Sequence, residues 1–318
     1  MELTKNNRMY SLLGQRGTFG AILDELARDN DTIIALSADL TRTSGLERFA
    51  SKYPDRFMNV GIAEEYAIGL AAGLADKGKT PFFTTFSNFA TLRANEFVRH
   101  FMAYMNCNVK LVGFGSGFAM ELFGNTHYGL EDISVLRSMP NIEILSPCDC
   151  MEVAKCVEYC VDHKGPVYLR LSGRMNTPIV NKKDYEFHVG KGIVLKEGTD
   201  AIVYATGSMV AVALKAAKIL EGKEINIKVI NIHTIKPLDI DLIKANKDIP
   251  LVVTMEEHSH VGGLGSAIAE VLSESGVHGK LIRLGTRDEY LKAGRYEYML
   301  DQHGLTAENL VQVIINNI

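Results

Sequence analysis

Residues 59–97 read NVGIAEEYAIGLAAGLADKGKTPFFTTFSNFATLRANEF, and this stretch decides the fold. Ala63 to Leu74 has the composition of a helix, and Gly69, Ala72 and Gly73 on it let another backbone come close. Pro81–Thr85 follows as a short apolar strand, and Phe82, Phe83, Phe86 and Phe89 fall within eight residues of one another. The first two belong to the strand, whereas Phe86 and Phe89 lie beyond its predicted end, in the loop leading into the next helix. In an open α/β sheet the carboxyl ends of the strands are where a flat ring can be held. Glu64 and Glu65 open the small-residue helix; carboxylates there complement the helix dipole, and that explanation needs no function.

The same alternation runs through the rest of the chain. Upstream, Phe19, Ile22, Leu23 and Leu26 recur at helical spacing before the buried-strand candidate Thr32–Leu36. Downstream strand candidates are Val109–Gly113, Ile142–Leu145 and Val167–Leu171, with helical stretches between them. From Pro178 to Gly190 the pattern loosens into a polar run, and we place a domain boundary there, giving residues 1–185 and 186–318. Strands at Ala201–Ala205, Ile227–Ile232, Leu251–Met255 and Lys280–Leu284 then resume, with helices at Val210–Leu220 and Ser266–Ser273. The expected class is α/β, with two α/β domains built on mainly parallel sheets.

Composition narrows the function. The 318 residues are 47% hydrophobic and 23% charged, which excludes wholesale disorder, and a net charge of −4 gives no reason to expect a nucleic-acid or anionic-membrane surface. Leu111 to Phe118 is the longest weakly polar run, and three glycines interrupt it, so no membrane span is expected. The first residues, MELTKNNRMY, have no apolar core of a secretory signal. Five cysteines are too few to staple such a chain, and we expect reduced thiols and a cytoplasmic location. Cys148, Cys150, Cys156 and Cys160 are dense, but their spacing matches no common metal site; Cys156 and Cys160 fit as small buried residues on one helix face.

Together, GIAEE, TFSNFATLRANEF and NTHYGLEDISVLRSMPN resemble the pyrimidine-binding domain of the transketolase family of thiamine diphosphate enzymes. TIKPLD and MEEHSHVGGLGSAIAE resemble the same family's C-terminal domain, in the family's order and spacing. The resemblance implies that Glu64 hydrogen-bonds the cofactor's aminopyrimidine ring and that Phe86 and Phe89 stack on it, with Leu92 at a third, altered aromatic position. It implies that Asp39 of SADLT lies close to the cofactor, that Arg16 of GQRGTFG and Arg174 of YLRLSGR clamp an anionic sugar end, and that His127 of NTHYG lies near the reacting carbons. Arginine forks suit phosphate-like groups, although either arginine alone reads equally as a surface charge. Glu65, about 100° around the helix from Glu64, reads as a surface or capping residue.

Two positions depart from that pattern. Twelve residues before His127, where relatives carry histidine or aspartate, stands Gly115; four before it, where they carry an acid, stands Phe123. Glu121 compensates in part if its loop is shifted. No GDG motif occurs, so the oxygen ligands for Mg²⁺ and the diphosphate are expected on a partner polypeptide. The segment HVGGLG, residues 260–265, looks like a phosphate loop but is not GxGxxG and reads as structural; His258 and His260 read as interface residues. Length alone suggests a self-contained enzyme; the missing motif points instead to the C-terminal subunit of a split transketolase, working as a heterotetramer on a sugar phosphate or similar anionic sugar. Two other readings are a 2-oxo acid dehydrogenase β subunit, against which TH-x-x-LED and the paired arginines argue, and a non-catalytic binding subunit.

Overall fold

A parallel sheet carries helices on both faces, so its strands must be apolar throughout. The strands of the first half meet that demand. The computed structural model describes residues 3–172, 174–246, 248–276 and 279–318. In it, β1 (Ile33–Ser37), β2 (Phe57–Asn59), β3 (Thr80–Phe86), β4 (Lys110–Phe114), β5 (Glu143–Leu145) and β6 (Val167–Arg170) form one sheet, with β1, β3, β4 and β6 buried along their whole length. Successive side chains face opposite ways. Ile33, Ala35 and Phe82 pack under the Leu3–Leu26 and Cys150–Asp162 helices, while Ile34, Leu36 and Phe83 pack against the Glu64–Asp76 helix.

The second half holds β7 (Ile193–Lys196), β8 (Ala201–Ala205), β9 (Ile227–Asn231), β10 (Thr234–Lys236), β11 (Leu251–Ser259) and β12 (Lys280–Thr286). Its sheet runs in the order β12-β11-β8-β9-β7, parallel except for the β7/β9 pair. The first sheet runs β10-β5-β6-β4-β3-β1-β2 and is also parallel, except that β10 crosses from the second half and pairs antiparallel with β5. The mainly parallel α/β class expected from the sequence is the observed one. The three-residue strands β2 and β10, and the half-exposed β7, are too short or too polar to stand out as apolar runs. Among the described residues no helix is long and apolar enough to cross a membrane.

Glycine is required at two places that matter later. Gly14 interrupts the first helix at φ 72°, and a Cβ there would lie 2.1 Å from the carbonyl oxygen of Arg174. Gly263 opens the Leu264–Glu274 helix, and a Cβ on it would meet a Glu256 carboxylate oxygen at 2.0 Å. That carboxylate accepts from the Leu264 and Gly265 N–H groups at 2.7 and 2.8 Å. The HVGGLG loop therefore has its helix-end donors satisfied internally, as a structural reading of it requires. The cysteines line packed surfaces: Cys150, Cys156 and Cys160 belong to the core beneath the first helix, and Cys148 to the second-half core.

The halves meet across an apolar seam. Ile133, Leu136, Ile144 and Tyr168 share one apolar cluster with Tyr204, Ile230, Leu264 and Ile268. Into this seam the last residue of β6, Arg170, projects its guanidinium, with Nε 2.8 Å from Asp132 Oδ2 and Nη2 3.0 Å from the carbonyls of both Gly129 and Glu257. His258 is buried beside it, and burial lowers its pKa to about 4, so the ring is neutral. A neutral ring with its proton on Nδ1 fits both neighbours, since Nδ1 lies 2.8 Å from the Ser259 carbonyl and Nε2 accepts from Ser134 N–H. Removing one partner of a buried ion pair leaves the other uncompensated. Asp132→Ala is therefore expected to lower unfolding free energy by about 3–5 kcal/mol in denaturant titrations; a loss under about 1 kcal/mol would mean that Arg170 is neutralised elsewhere.

Candidate active site

The site is assembled at the carboxyl ends of β1 to β4. After β1, Asp39 takes a left-handed conformation with φ 59°, and its N–H donates to Asn59 Oδ1 at 3.0 Å. The same Asn59 oxygen accepts from Gly61 N–H, and Val60 N–H donates to the Ser37 carbonyl. These bonds tie the ends of β1 and β2 together and deliver Glu64 as the first residue of its helix. Asp39 itself is exposed at this rim, whereas Glu65 is half-buried one position beyond Glu64.

Glu64 is only 1% exposed. An ionised carboxylate at such depth demands partners, and it has two. Thr85 Oγ1 donates to Oε1 at 3.2 Å, and Arg93 Nη1 donates to Oε2 at 3.0 Å. The Arg93 guanidinium also lies 3.9 Å from the centroid of the Phe89 ring. Arg93 comes from the π-helical turn Phe89–Arg93, a geometry that often marks functional sites. Neither Thr85 nor Arg93 stands out in the sequence. Thr85 is one strand residue among several, and Arg93 reads as an outward-facing charge until the wide turn brings it back over Phe89.

Phe86 is the last residue of β3 rather than part of the following loop, and it is buried. Its ring meets Phe89 edge-on at 5.6 Å and Phe114 at 4.9 Å. His127 stands beside both, 5.5 Å from Phe86 and 5.3 Å from Phe89. The loop carrying it is held by Asn88 Nδ2, which donates to the Thr126 carbonyl at 2.7 Å, and by mutual bonds between Gly117 and Gly129. Burial, and secondarily the Arg93 charge, push the His127 pKa down, favouring the neutral imidazole. Arg16 completes this group: its guanidinium lies 5.7 Å from the Phe114 centroid and donates to the Thr43 carbonyl. Burial lowers its pKa too.

Arg174 is placed differently. It sits 2.9 Å from Glu297 Oε1 and 4.0 Å over the Tyr296 ring, lining a cavity of about 460 Å³ with Gln15, Ser208 and Lys215. Arg16 and Arg174 thus have no partner in common among the described contacts, and a two-arginine clamp requires Arg174 to leave Glu297. Gly173, in the same sequence stretch, lies outside the described residues. The space beside Gly115 is filled by Met120, whose sulfur would lie 2.7 Å from a Cβ there. Phe123 is exposed and packs on His127 at 5.1 Å. The Glu121 backbone carbonyl accepts from the Tyr128 hydroxyl, and its carboxylate has no described bond to His127. His127 thus has apolar Phe123 on one side, while its Nδ1 lies 2.9 Å from Thr126 Oγ1.

Residues 14–178 match the family described as transketolase, pyrimidine binding domain, and residues 190–310 match transketolase, C-terminal domain. A 6-deoxy-6-sulfo-D-fructose transketolase subunit of Clostridium sp. (strain MSTE9) is 41% identical, over 93% of this chain and 92% of that one. An apulose-4-phosphate transketolase subunit of Phocaeicola vulgatus is 36% identical, over 96% and 97%. A solved structure described as a split gene transketolase, inactive beta4 tetramer, is 37% identical with a TM-score of 0.85, covering 96% of this chain and 97% of that one. Because the Arg93 charge contributes to holding the His127 pKa down, Arg93→Met is expected to raise it, read by NMR titration of the imidazole. An unchanged titration would show that burial alone sets it.

Proposed function

The chain belongs to the transketolase family, as the C-terminal section of a two-chain transketolase, and from that premise we propose that it supplies the pyrimidine-binding half of a thiamine diphosphate-dependent enzyme. The observation that carries this reading is the buried carboxylate of Glu64, joined through Arg93 to the Phe89 ring that His127 also meets. A carboxylate acceptor at the edge of an aromatic face suits a flat nitrogen heterocycle that donates N–H, and the aminopyrimidine is such a group. When bound, the cofactor supplies a nucleophilic carbon and electron sink for moving a two-carbon ketol unit from a ketose to an aldose.

The residues of this chain then divide the work. Glu64 accepts from the ring and, being shielded from water, biases where the ring holds its proton. Phe86 and Phe89 fix its plane, and Asp39 lines the rim near it. His127, neutral at physiological pH, accepts or returns a proton at a substrate hydroxyl. Arg16, half-sheltered against Phe114, draws in an anionic sugar terminus, and Arg174 joins it on release from Glu297. Apolar Met120 beside Gly115 and Phe123 against His127 favour a donor with fewer hydroxyls to satisfy there than the family's usual ketose phosphates. The two named relatives act on sugars whose anionic groups are sulfonate and phosphate, and a ketose ending in such an oxyanion is the substrate class we assign.

A partner subunit is part of this reading. The sequence contains no GDG, so the diphosphate and Mg²⁺ are assigned to a companion chain. Next to Glu64, Ile62 and Tyr66 are exposed, as are Leu92, Phe97, Tyr104 and Met105 on the segments that follow β3. Met105 lies by Gly69, Ala72 and Asp76, towards the far end of the helix that Glu64 opens, so these exposed apolar side chains extend along that helix, and such a surface is what a subunit interface covers.

Co-purified with its partner, the Glu64→Gln variant is expected to keep its circular dichroism spectrum and to lose turnover about a hundredfold or more. The donor panel for that assay contains ketose phosphates, sulfonated ketoses and 2-oxo acids. Near-normal turnover by the variant, or CO₂ release from a 2-oxo acid by the wild type, would overturn the assignment.

A further inference from the structure

Arg93 makes two contacts at once, to Glu64 Oε2 at 3.0 Å and to the Phe89 ring at 3.9 Å. Oε1 of Glu64 already accepts from Thr85, and Oε2, the oxygen free of Thr85, is the one the guanidinium occupies. The other requirement of a flat heterocycle is an aromatic face, and the guanidinium covers one on Phe89. A guanidinium is planar, delocalised, cationic and rich in N–H donors. A protonated aminopyrimidine has the same four properties. One side chain of the protein therefore makes the pair of contacts that the cofactor ring calls for, on the same carboxylate and the same aromatic ring.

The two partners differ in freedom. The Glu64 side chain is 2% exposed and the Arg93 side chain 39%. Glu64 cannot turn to water, and left unpaired it would carry the cost of a buried charge. Arg93 is long, already at the boundary, and keeps its charge hydrated when it swings outward. The carboxylate is the fixed member and the guanidinium the exchangeable one.

We propose that Arg93 is an internal stand-in for the pyrimidine ring, satisfying Glu64 and covering Phe89 until the cofactor displaces it to the rim of the site. This rests on the reading that thiamine diphosphate is the cofactor. It adds that the chain itself competes for the ring's place, so affinity for the ring end is lower than Glu64 and Phe89 alone would give.

The test uses the complex of this chain with its co-purified partner. Thiamine diphosphate is titrated calorimetrically at fixed Mg²⁺ into wild type, Arg93→Met and Arg93→Lys, with inorganic pyrophosphate as a ligand that has no ring. Loss of a part-exposed ion pair and its stacking is worth about 1–1.4 kcal/mol, so Arg93→Met is expected to bind thiamine diphosphate about five- to tenfold tighter. Arg93→Lys, charged but without the plane, falls between, and pyrophosphate affinity stays constant. Weaker or unchanged binding of thiamine diphosphate by Arg93→Met overturns the proposal. If that variant does not fold, phenylglyoxal labelling of Arg93 in the wild-type complex, read by mass spectrometry, decides. Labelling that rises with thiamine diphosphate and not with pyrophosphate supports displacement; protection by thiamine diphosphate overturns it. A wild-type complex that binds thiamine diphosphate no better than pyrophosphate would sink the cofactor reading itself, and the stand-in with it.

Discussion

The buried guanidinium of Arg170 is the joint on which both halves and the site depend. It ends β6, pairs with Asp132, and binds the carbonyls of Gly129 and Glu257. Gly129 belongs to the loop that presents His127, and Glu257 belongs to β11 of the second sheet. A single rigid fork thereby sets the distance between one sheet, the other sheet and a candidate catalytic loop. Arginine suits this task because its donors are fixed in one plane and stay charged when buried. Around it, His258 and the apolar seam are buried, and low local polarity strengthens each of these bonds.

The site itself turns on a second buried charge. Glu64 lies at the end of a sheet whose strands are apolar on both faces, and nothing but Thr85 and Arg93 compensates it among the described residues. The aromatic edge of Phe86, Phe89 and Phe114 lowers the local polarity and depresses the pKa of His127 through burial. One end of the site is thus a fixed anion and the other, at Arg16, a partly buried cation. A ligand with a donor-bearing ring and another with an anionic terminus complement those two ends.

Much of this was legible before any coordinates. Continuous apolar runs such as Thr32–Leu36 and Pro81–Thr85 read as parallel strands because burial on both faces leaves no polar alternation, and the observed strands differ from them by one residue at the ends. Glu64, Phe86, Phe89, His127 and Arg16 were read from motifs, and the structure gathers them in one neighbourhood. Arg174 reads from a motif as well, yet its side chain turns to Tyr296 and Glu297, where the second half offers both a ring and a counter-charge. Arg93 left no readable signal: at helical spacing it belongs to a polar face, and only the π-helical turn carries it over Phe89. The strand β10 was invisible too, because three residues have no period and its partner β5 lies nearly ninety positions earlier.

By itself the sequence determined the α/β class, the two halves, the absence of a GDG motif and the identity of the residues at the strand ends, since periodicity and local motifs act over a few neighbours. Tertiary structure alone decided which charges meet. The pairings Arg170–Asp132, Arg93–Glu64 and Arg174–Glu297 join residues far apart in the chain. Their geometry depends on how sheets, turns and halves pack, and electrostatic contact falls off too steeply with distance and solvent for sequence spacing to foretell it.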